Sequence, residues 1–368
     1  MEKIIAYFTC IAFFIMIISI SLFTLFKEPI RFSPLENRNL TLMPSFKWEQ
    51  VLNNKYQDEI ELAFADQILF RDSWAMIEAY GEEMIGKVEN NGIYYGKDQY
   101  LMERFSTYDE EQMNYNIKQI NQFKAKIKQP VSFMLVANSS SVLTDKLPAF
   151  HQDIKLTTLH QKIKQQLDDD ILFVDPYQRL KQHQKEAIYF KGDHHWNLKG
   201  AFYGYQELAL RQGRELIEPI PFIQVSDDFK GTMISAAHRY LNKGDSILKL
   251  SNNPEVVVQY DQGKQHDVYV EDNLKLKDKY TYYLNGSQAR VHIDCGNNKQ
   301  SNLLIIRDSF ANIMLPYLVR DYQSIDVIDL RYDHASMSEL IEQNQIDQVL
   351  FLYSTKNFVS DKNLVFLK

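Results

Sequence analysis

Short apolar runs alternate with helical patterns along this sequence, and the alternation limits the fold more than any other feature. The predicted strands are Val131–Ala137, Ile171–Val174, Leu303–Ile306, Ile325–Leu330 and Gln348–Tyr353, and the predicted helices include Leu198–Arg211, Ser309–Tyr322 and Met337–Asn344. Fully apolar runs of this length are typical of buried parallel strands. Strands that alternate with helices predict an α/β fold, with a three-layer parallel sheet covered on both faces.

Polar residues follow several of the predicted strands. Asn138, Ser309, Arg331 and Ser354 stand at such positions. Because sites in parallel sheets lie at the carboxyl ends of the strands, we expect these residues to gather around one cleft. A serine at the start of a helix is also an ordinary N-cap residue, and this simpler explanation applies to Ser309.

The segment Asp193–Trp196 places a carboxylate, two imidazoles and an indole in consecutive positions. In an extended segment, Asp193 and His195 share one side while His194 and Trp196 take the other. An aspartate that accepts a hydrogen bond from one ring nitrogen of His195 leaves the other nitrogen free to take a proton from a nucleophile. Ser309 is the best candidate for that nucleophile.

A metal site is the second functional interpretation of this segment. Asp193, His194 and His195 are possible ligands. Adjacent histidines reach one ion less easily than histidines a helical turn apart, and no typical motif for further ligands is visible. We therefore expect neither a metal nor a cofactor.

The run Ile4–Phe26 contains no charged residue. It is long enough to cross a bilayer, which takes about 20 apolar residues. A cleaved signal peptide is the alternative, but its apolar region is usually only about 7–15 residues and no small-x-small site follows here. The sequence favours an uncleaved signal anchor, and the short tail before it favours a body outside the cytoplasm.

Composition limits the other partners. The net charge of −7 and the pI near 5.8 argue against nucleic acid, which needs a basic surface. The 22 Tyr and 22 Phe suffice for a core and for a surface that contacts carbohydrate. Cys10 lies in the anchor and Cys295 far downstream, so no disulfide is expected.

Three parts follow along the chain. Residues 1–27 form the anchor, residues 28–90 a helical lead-in, and residues 91–368 the α/β domain. The strand and helix rhythm breaks at about 215–300, where Pro and Gly separate short β-prone pieces. This stretch predicts a β-rich or irregular insertion on one side of the sheet.

Several motifs together resemble a known family. They are Leu35-Glu36-Asn37-Arg38, Gly92-Ile93-Tyr94, Gly192-Asp193-His194-His195-Trp196, Phe229-Lys230-Gly231-Thr232, Arg307-Asp308-Ser309-Phe310-Ala311-Asn312 and Asp329-Leu330-Arg331-Tyr332. They resemble the DHHW proteins, which are similar to the alginate O-acetylation proteins of the AlgJ and AlgX type. The resemblance implies an SGNH-hydrolase-like fold and covers nearly everything after the anchor.

The resemblance also implies a permuted order of motifs, because Asp193 and His195 precede Ser309 whereas common SGNH hydrolases have the serine first. Arg307 stands where a glycine is usual, and Tyr353-Ser354 stands where an asparagine is expected. The oxyanion hole could instead use the backbone N–H of Ser309 or Phe310 at the helix start.

By analogy with the alginate proteins, the resemblance implies an extracytoplasmic O-acetyltransferase, or an acetylesterase, that acts on a cell-surface polysaccharide. A membrane-bound O-acyltransferase would be the partner that supplies acetyl groups. The alternative is a catalytically silent protein that binds polysaccharide or serves as a scaffold in a glycan assembly machine.

Overall fold

The computed structural model describes residues 2–36, 38–52, 55–260 and 263–367. Asn37, which belongs to the Leu35-Glu36-Asn37-Arg38 motif, lies outside the described residues. The chain divides into two units: Met1–Lys87 with Ser235–Leu241, and Val88–Ile234 with Asn242–Lys368. Each unit is described separately below. The first contains the candidate membrane span and is called the membrane-proximal unit, and the second is called the α/β unit.

The membrane-proximal unit is mainly helical. Its elements are α1 (Glu2–Phe26), β1 (Phe32–Ser33), β2 (Arg38–Asn39), α2 (Trp48–Leu52), α3 (Lys55–Gln67) and α4 (Arg71–Met84). The span Lys3–Phe26 is long and apolar enough to cross a membrane, as the uncharged run in the sequence predicts. Within the described residues it is the one helix that meets this test.

Half-buried charged groups hold the non-helical chain after α1 against α3 and α4. Asp66 accepts hydrogen bonds from the Arg38 guanidinium and, at 2.8 Å, from the backbone N–H of Thr41. Glu36 pairs with Arg38 and Arg71. The hydrogen bonds from Arg38 hold the pKa of Asp66 well below its usual range, against the opposing effect of burial. This charged cluster gives Glu36 and Arg38 a structural role within the unit.

The α/β unit follows in chain order. Its elements are β3 (Glu89–Asn90), β4 (Ile93–Tyr95), β5 (Leu101–Glu103), α5 (Glu110–Lys126), β6 (Val131–Val136), α6 (Ser139–Val142), α7 (Leu156–Gln166), β7 (Ile171–Val174), α8 (Tyr177–Gln182), α9 (Leu198–Arg211), β8 (Phe222–Phe229), α10 (Thr232–Ala236), β9 (Asp245–Leu250), β10 (Val257–Tyr260), β11 (Gly263–Gln265), β12 (Arg290–Asp294), β13 (Asn302–Arg307), α11 (Leu315–Leu318), β14 (Ser324–Ile328), α12 (Met337–Gln343), β15 (Gln348–Ser354) and α13 (Thr355–Phe358).

The central sheet has eight strands in the order β11-β10-β12-β14-β13-β15-β6-β7. Strands β14, β13, β15, β6 and β7 are parallel, and these are the apolar runs that the sequence predicts as strands. The prediction of an all-parallel sheet is wrong, because β12, β10 and β11 continue the sheet in antiparallel pairings. Only two residues separate β10 from β11, which is too short for the crossover that a parallel pair needs.

The stretch at about 215–300 does not form one structure on a single side of the sheet. Residues 257–294 contribute β10, β11 and β12 to the central sheet itself. Strands β8 and β9 form a separate antiparallel pair. Short β-prone pieces in this stretch therefore extend the edge of the α/β core, and the sequence shows no period that distinguishes this arrangement from a separate flap.

The predicted helix Ser309–Tyr322 is also shorter than expected. A 3-10 turn covers Ser309–Met314, and α11 adds only Leu315–Leu318. The side chain of Asp308 accepts a hydrogen bond from the backbone N–H of Phe310 at 2.9 Å and caps the turn. The helix-cap explanation for Ser309 is therefore wrong, because Asp308 has that role.

Helix α9 packs closely on the buried indole of Trp196. A Cβ atom added at Gly204 would lie 2.4 Å from the indole ring, closer than any real contact. The Asn197 side chain caps α9 by accepting hydrogen bonds from two backbone N–H groups at 3.1 Å. The start of α9 thus fixes the end of the Asp193–Trp196 segment.

We expect Gly204→Ala to lower the melting temperature, because overpacking a buried site costs about 1–3 kcal/mol. Gly81→Ala is the matched control: Gly81 lies in α4 with nothing within 4 Å of an added Cβ, and the substitution should leave the melting temperature unchanged or higher. Thermal unfolding followed by circular dichroism measures both. Equal melting temperatures for the two variants would contradict the close packing of α9 on Trp196.

Candidate active site

Asp193, His194 and His195 lie on a bend between the isolated β-bridge pair Tyr189 and Trp196. The Asp245 carboxylate holds the start of this bend, because it accepts the backbone N–H groups of Lys191 at 2.9 Å and Gly192 at 2.8 Å. Burial raises the pKa of Asp245 to about 6. The segment is thus held at both ends, by Asp245 and by the cap of α9.

Three side chains form a continuous line of hydrogen bonds. His195 Nδ1 lies 2.6 Å from Asp193 Oδ1, and His195 Nε2 lies 2.7 Å from Ser309 Oγ. Asp193 and His195 are buried, whereas Ser309 is partly exposed. We call this line the Ser309 relay. It joins residues 114 positions apart in the chain.

The second carboxylate oxygen of Asp193 is bonded to Thr232. Both the backbone N–H and the hydroxyl of Thr232 donate to Asp193 Oδ2 at 2.9 Å. A Cβ atom at Gly231 would lie 2.3 Å from Asp193 Cβ, so only glycine permits this approach. Sequence analysis gave Thr232 no role, although the motif Phe229-Lys230-Gly231-Thr232 was among those that carry the family resemblance.

The relay has the charge distribution of a carboxylate beside a neutral imidazole. Burial by itself raises the pKa of Asp193, but the charges of His194 and His195 and the hydrogen bonds outweigh it and hold the pKa well below its usual range. Burial, followed by the charge of His194, lowers the pKa of His195 in spite of Asp193. With Asp193 accepting from Nδ1–H, the unprotonated Nε2 faces the Ser309 hydroxyl.

Tyr280 covers the other face of the imidazole. The rings of Tyr280 and His195 are stacked, with centroids 3.7 Å apart and planes at 5°. The Tyr280 hydroxyl donates to the backbone carbonyl of Ser309 at 2.7 Å. Burial raises the pKa of Tyr280 well above its usual value, so the donor stays protonated. No local sequence pattern relates Tyr280 to His195.

Asp308 positions Ser309 from the opposite side. Its Oδ2 accepts hydrogen bonds from the backbone N–H and the hydroxyl of Ser354, both at 2.8 Å, and from Asn357 Nδ2 at 2.9 Å. The indole N–H of Trp196 donates to the carbonyl of Phe310 at 3.0 Å. The turn that carries Ser309 is therefore held by β15, by Tyr280 and by the Asp193–Trp196 segment.

The two candidate oxyanion donors differ. The N–H of Phe310 is already bonded to Asp308. The N–H of Ser309 makes no hydrogen bond within the part of the chain that the structure describes. It stands at the first position of the 3-10 turn, where N–H groups lack partners and favour an anion. Ser309 N–H is therefore the better placed of the two.

The side chains of Asn138 and Arg331 make local contacts. Asn138 bonds to Ser140 and Ser141, both in its own turn. Arg331 pairs with Asp329, which also faces the buried Arg307. The side chains of Asn138 and Arg331 are therefore each bonded to a polar or charged group close by.

Tyr353 and Ser354 support the turn and do not face a cleft. Tyr353 is 1% exposed and packs against Phe358 at a centroid distance of 6.3 Å. Ser354 is buried and bonded to Asp308. The side chains of Tyr353 and Ser354 are therefore packed inside the unit, because a strand end sets the position of the backbone but not the direction of a side chain.

His194 also differs from its predicted orientation. Its Nδ1 lies 3.6 Å from Asp193 Oδ1 and 3.0 Å from Thr232 Oγ1, and its ring centroid is 3.8 Å from that of His195. The segment is bent, so the alternation of an extended strand does not apply. Ligand atoms of Asp193, His194 and His195 lie within 4.8 Å of one another, a spacing that could hold a metal ion. An ion there would displace the hydrogen bond between Asp193 and His195.

A second line of the same chemical groups lies elsewhere in the unit. Asp175 Oδ2 is 2.9 Å from His160 Nδ1, and His160 Nε2 is 2.7 Å from Thr355 Oγ1. We call it the His160 relay. Thr355 is 0% exposed and His160 is 2% exposed, so no substrate reaches this hydroxyl. Access, and not hydrogen-bond geometry, distinguishes the two relays.

Comparison with known proteins agrees with the fold and the motifs. The DHHW protein family matches residues 163–328, and the SGNH hydrolase-like domain of the acetyltransferase AlgX matches residues 93–228. A DHHW family protein from Eubacterium siraeum is similar in structure, with a TM-score of 0.64 and 22% identity over 76% of this chain and 95% of that chain. No curated protein matches the chain in sequence.

Bacillus cereus PatB1 with a sulfonyl adduct is similar as well, with a TM-score of 0.63 and 23% identity over 75% of this chain and 98% of that chain. The mixed α/β sheet and these likenesses define an SGNH hydrolase-like fold. The matches to the DHHW protein family and to the AlgX domain confirm the resemblance predicted from the motifs.

The rate at which a sulfonyl fluoride labels Ser309 should follow the protonation of His195. Because burial lowers the pKa of His195, the imidazole stays neutral through neutral pH, and labelling should fall only below its ordinary pKa of about 6.5. His194→Gln removes a charge that lowers this pKa, so the acid limb should move to higher pH while the plateau remains. Mass spectrometry of labelled protein at each pH measures the rate.

His195→Gln is the comparison variant and should not be labelled at any pH. A His194→Gln variant that loses labelling as completely as His195→Gln would contradict the division of roles. Stoichiometric zinc in the purified protein, lost in both variants, would replace the relay with a metal site.

Proposed function

We propose that the protein is an extracytoplasmic O-acetyltransferase that modifies a cell-surface polysaccharide through an acyl-serine intermediate. The observation that carries the proposal is the Ser309 relay, with hydrogen bonds of 2.6 Å and 2.7 Å that end on a partly exposed hydroxyl. A hydroxyl becomes a nucleophile when an adjacent base takes its proton, and the base works when a third group orients it. Ser309, His195 and Asp193 have these three roles.

The first half of the reaction acylates Ser309. Oγ attacks the acetyl carbonyl of the donor while His195 Nε2 takes the hydroxyl proton. The bond between the acetyl carbon and the donor's leaving group then breaks, and His195 returns the proton to that group. Asp193 stabilises the transient imidazolium through the hydrogen bond to Nδ1. The backbone N–H of Ser309 is the donor we assign to the developing oxyanion.

The second half transfers the acetyl group. A sugar hydroxyl gives its proton to His195 Nε2 and attacks the acyl-serine carbonyl. The bond from Ser309 Oγ to the acetyl carbon breaks, and Oγ recovers the proton from His195. Water in place of the sugar hydroxyl would give the esterase reaction by the same steps.

The acceptor and the partner rest on the family match. The domain that matches residues 93–228 is described as that of the acetyltransferase AlgX, which supports acetyl transfer over other acyl chemistry. Helix α1 would keep the chain at the membrane, beside a membrane-bound O-acyltransferase that supplies acetyl groups. No metal or cofactor is needed for these steps.

Ser309→Ala tests whether the relay is catalytic. The variant should form no covalent adduct with a sulfonyl fluoride or an aryl acetate, and it should release no acetate. Loss of one hydrogen bond costs about 1 kcal/mol, so its melting temperature should stay within a few degrees of wild type. Intact-protein mass spectrometry, an acetate-release assay and thermal unfolding measure these three quantities. Asp193→Asn and His195→Ala should lose the adduct alike.

Ser360→Ala removes an exposed hydroxyl and should react as wild type does. Thr355 in the His160 relay should carry no adduct in any sample, because it is buried. An unreactive wild type, together with unchanged acetylation of surface glycan in cells that carry Ser309→Ala, would instead favour the scaffold role.

The same proposal predicts where the body lies. Because Lys3–Phe26 can cross a membrane and no cleavage site follows it, the body should be digested when protease is added to intact cells. Immunoblotting of cells before and after lysis measures this. Protection in intact cells, with digestion only after lysis, would reverse the orientation.

A further inference from the structure

Helix α4 carries an exposed row of apolar side chains. Phe70 lies just before α4, and Trp74, Ile77 and Met84 follow within it at spacings of three and seven residues, which places these three on one face of the helix. Their exposed fractions are 65%, 43%, 58% and 89%. We call this row the α4 stripe. Large apolar side chains gathered in a contiguous exposed row mark an interaction surface.

The stripe begins at the end of the helix that can cross the membrane. The hydroxyl of Thr24, in the last turn of α1, accepts the backbone N–H of Leu69 at 3.0 Å. The carbonyl of the same residue, Leu69, accepts the indole N–H of Trp74 at 3.0 Å. One residue therefore joins the Trp74 ring to the last turn of α1.

A second contact fixes the same turn. The Gln67 side chain accepts the N–H of Ile30 at 2.9 Å and donates to the carbonyl of Ile30 at 2.8 Å. The turn between α3 and α4 is thus bonded both to the last turn of α1 and to the chain just after it. Motion of this turn away from the end of α1 would break both sets of hydrogen bonds.

These contacts set the depth of Trp74. Thr24 lies two residues before Phe26, where α1 ends, which is about 3 Å along a helix that rises about 1.5 Å per residue. If α1 spans the bilayer, the Trp74 ring lies at the boundary between headgroups and acyl chains. Tryptophan is enriched at this level of membrane proteins. The indole N–H is already bonded, so the ring can enter lipid without losing a hydrogen bond.

We propose that the α4 stripe is a lipid-contacting surface, which rests on the outer leaflet beside the end of α1. The inference depends on the membrane anchoring that is part of the proposed function. The occupant is the bilayer because the stripe is continuous with the membrane-spanning helix through Leu69. The rest of α4 is acidic, with Asp72, Glu78, Glu82 and Glu83 against one arginine, so the contact is apolar and does not require anionic lipid.

In this arrangement the membrane-proximal unit contacts the bilayer at two places, the end of α1 and the α4 stripe. A single spanning helix leaves a body free to tilt, whereas a second contact on the surface limits the tilt.

The full-length chain reconstituted in phosphatidylcholine vesicles tests the proposal. The sequence has three tryptophans, Trp48, Trp74 and Trp196. Trp48→Phe leaves Trp74 with the buried Trp196, and the double variant Trp48→Phe, Trp74→Phe leaves Trp196 alone as the background. Vesicles whose acyl chains carry bromine quench a tryptophan that touches lipid.

The Trp48→Phe variant should lose about half of its tryptophan emission in brominated vesicles. The quenching should be stronger when the bromine lies near the headgroup end of the acyl chains than when it lies near the methyl end. The double variant should not change. Added anionic lipid should leave the quenching unaltered.

Equal emission of the Trp48→Phe variant in brominated and ordinary vesicles would overturn the proposal and leave a second copy or a protein partner as the occupant of the stripe. Extraction of the protein from the vesicles by alkaline carbonate would instead reject the anchoring itself, and the lipid contact with it. The two outcomes can be told apart, because a missing lipid contact is observed in protein that remains in the membrane, whereas a missing anchor releases the protein.

Discussion

The carboxylate of Asp308 decides where the serine of this site lies. Strands β13 and β15 are parallel neighbours, so their carboxyl ends lie side by side. Asp308 follows β13 and accepts hydrogen bonds from the turn after β13, from the end of β15 and from α13. Loss of this group would leave several buried donors without a partner, each at a cost of about 1–3 kcal/mol. The position of Ser309 follows from that constraint, and the 2.7 Å hydrogen bond to His195 follows from the position.

Asp193 and His195 are held in position in a different way. Asp193 and His195 lie on a bend, where regular hydrogen bonding is absent and polar groups need side-chain partners. Asp245 supplies them for the backbone, and Thr232 supplies them for the Asp193 carboxylate. Tyr280 and Trp196 then hold the carbonyls of Ser309 and Phe310. Charged and polar groups are buried here because each has a partner, and the burial in turn keeps His195 neutral.

The two relays of the α/β unit have similar hydrogen-bond geometry but differ in whether solvent reaches the hydroxyl. Both have an aspartate, a histidine and a hydroxyl at distances between 2.6 Å and 2.9 Å. The His160 relay joins α7 to the start of α13, and its hydroxyl is closed to solvent, so its role is to hold these elements together. The Ser309 relay ends on a partly exposed hydroxyl. A functional assignment based on distances alone would treat them alike, whereas burial distinguishes them.

The sequence by itself determined the elements whose pattern is local: the apolar strands of the parallel sheet, helix α9 after its Asn197 cap, the uncharged span of α1, and Asp193 and His195 two residues apart. It also indicated Ser309, because an apolar strand that ends in a polar turn is a local signal. Only the tertiary structure decided which distant groups meet. Tyr280 stacks on His195 and Thr232 bonds to Asp193, through contacts between residues that no periodicity relates. The antiparallel edge of the sheet was decided in the same way, since pairing direction depends on how a loop returns and the residues of a strand do not encode it.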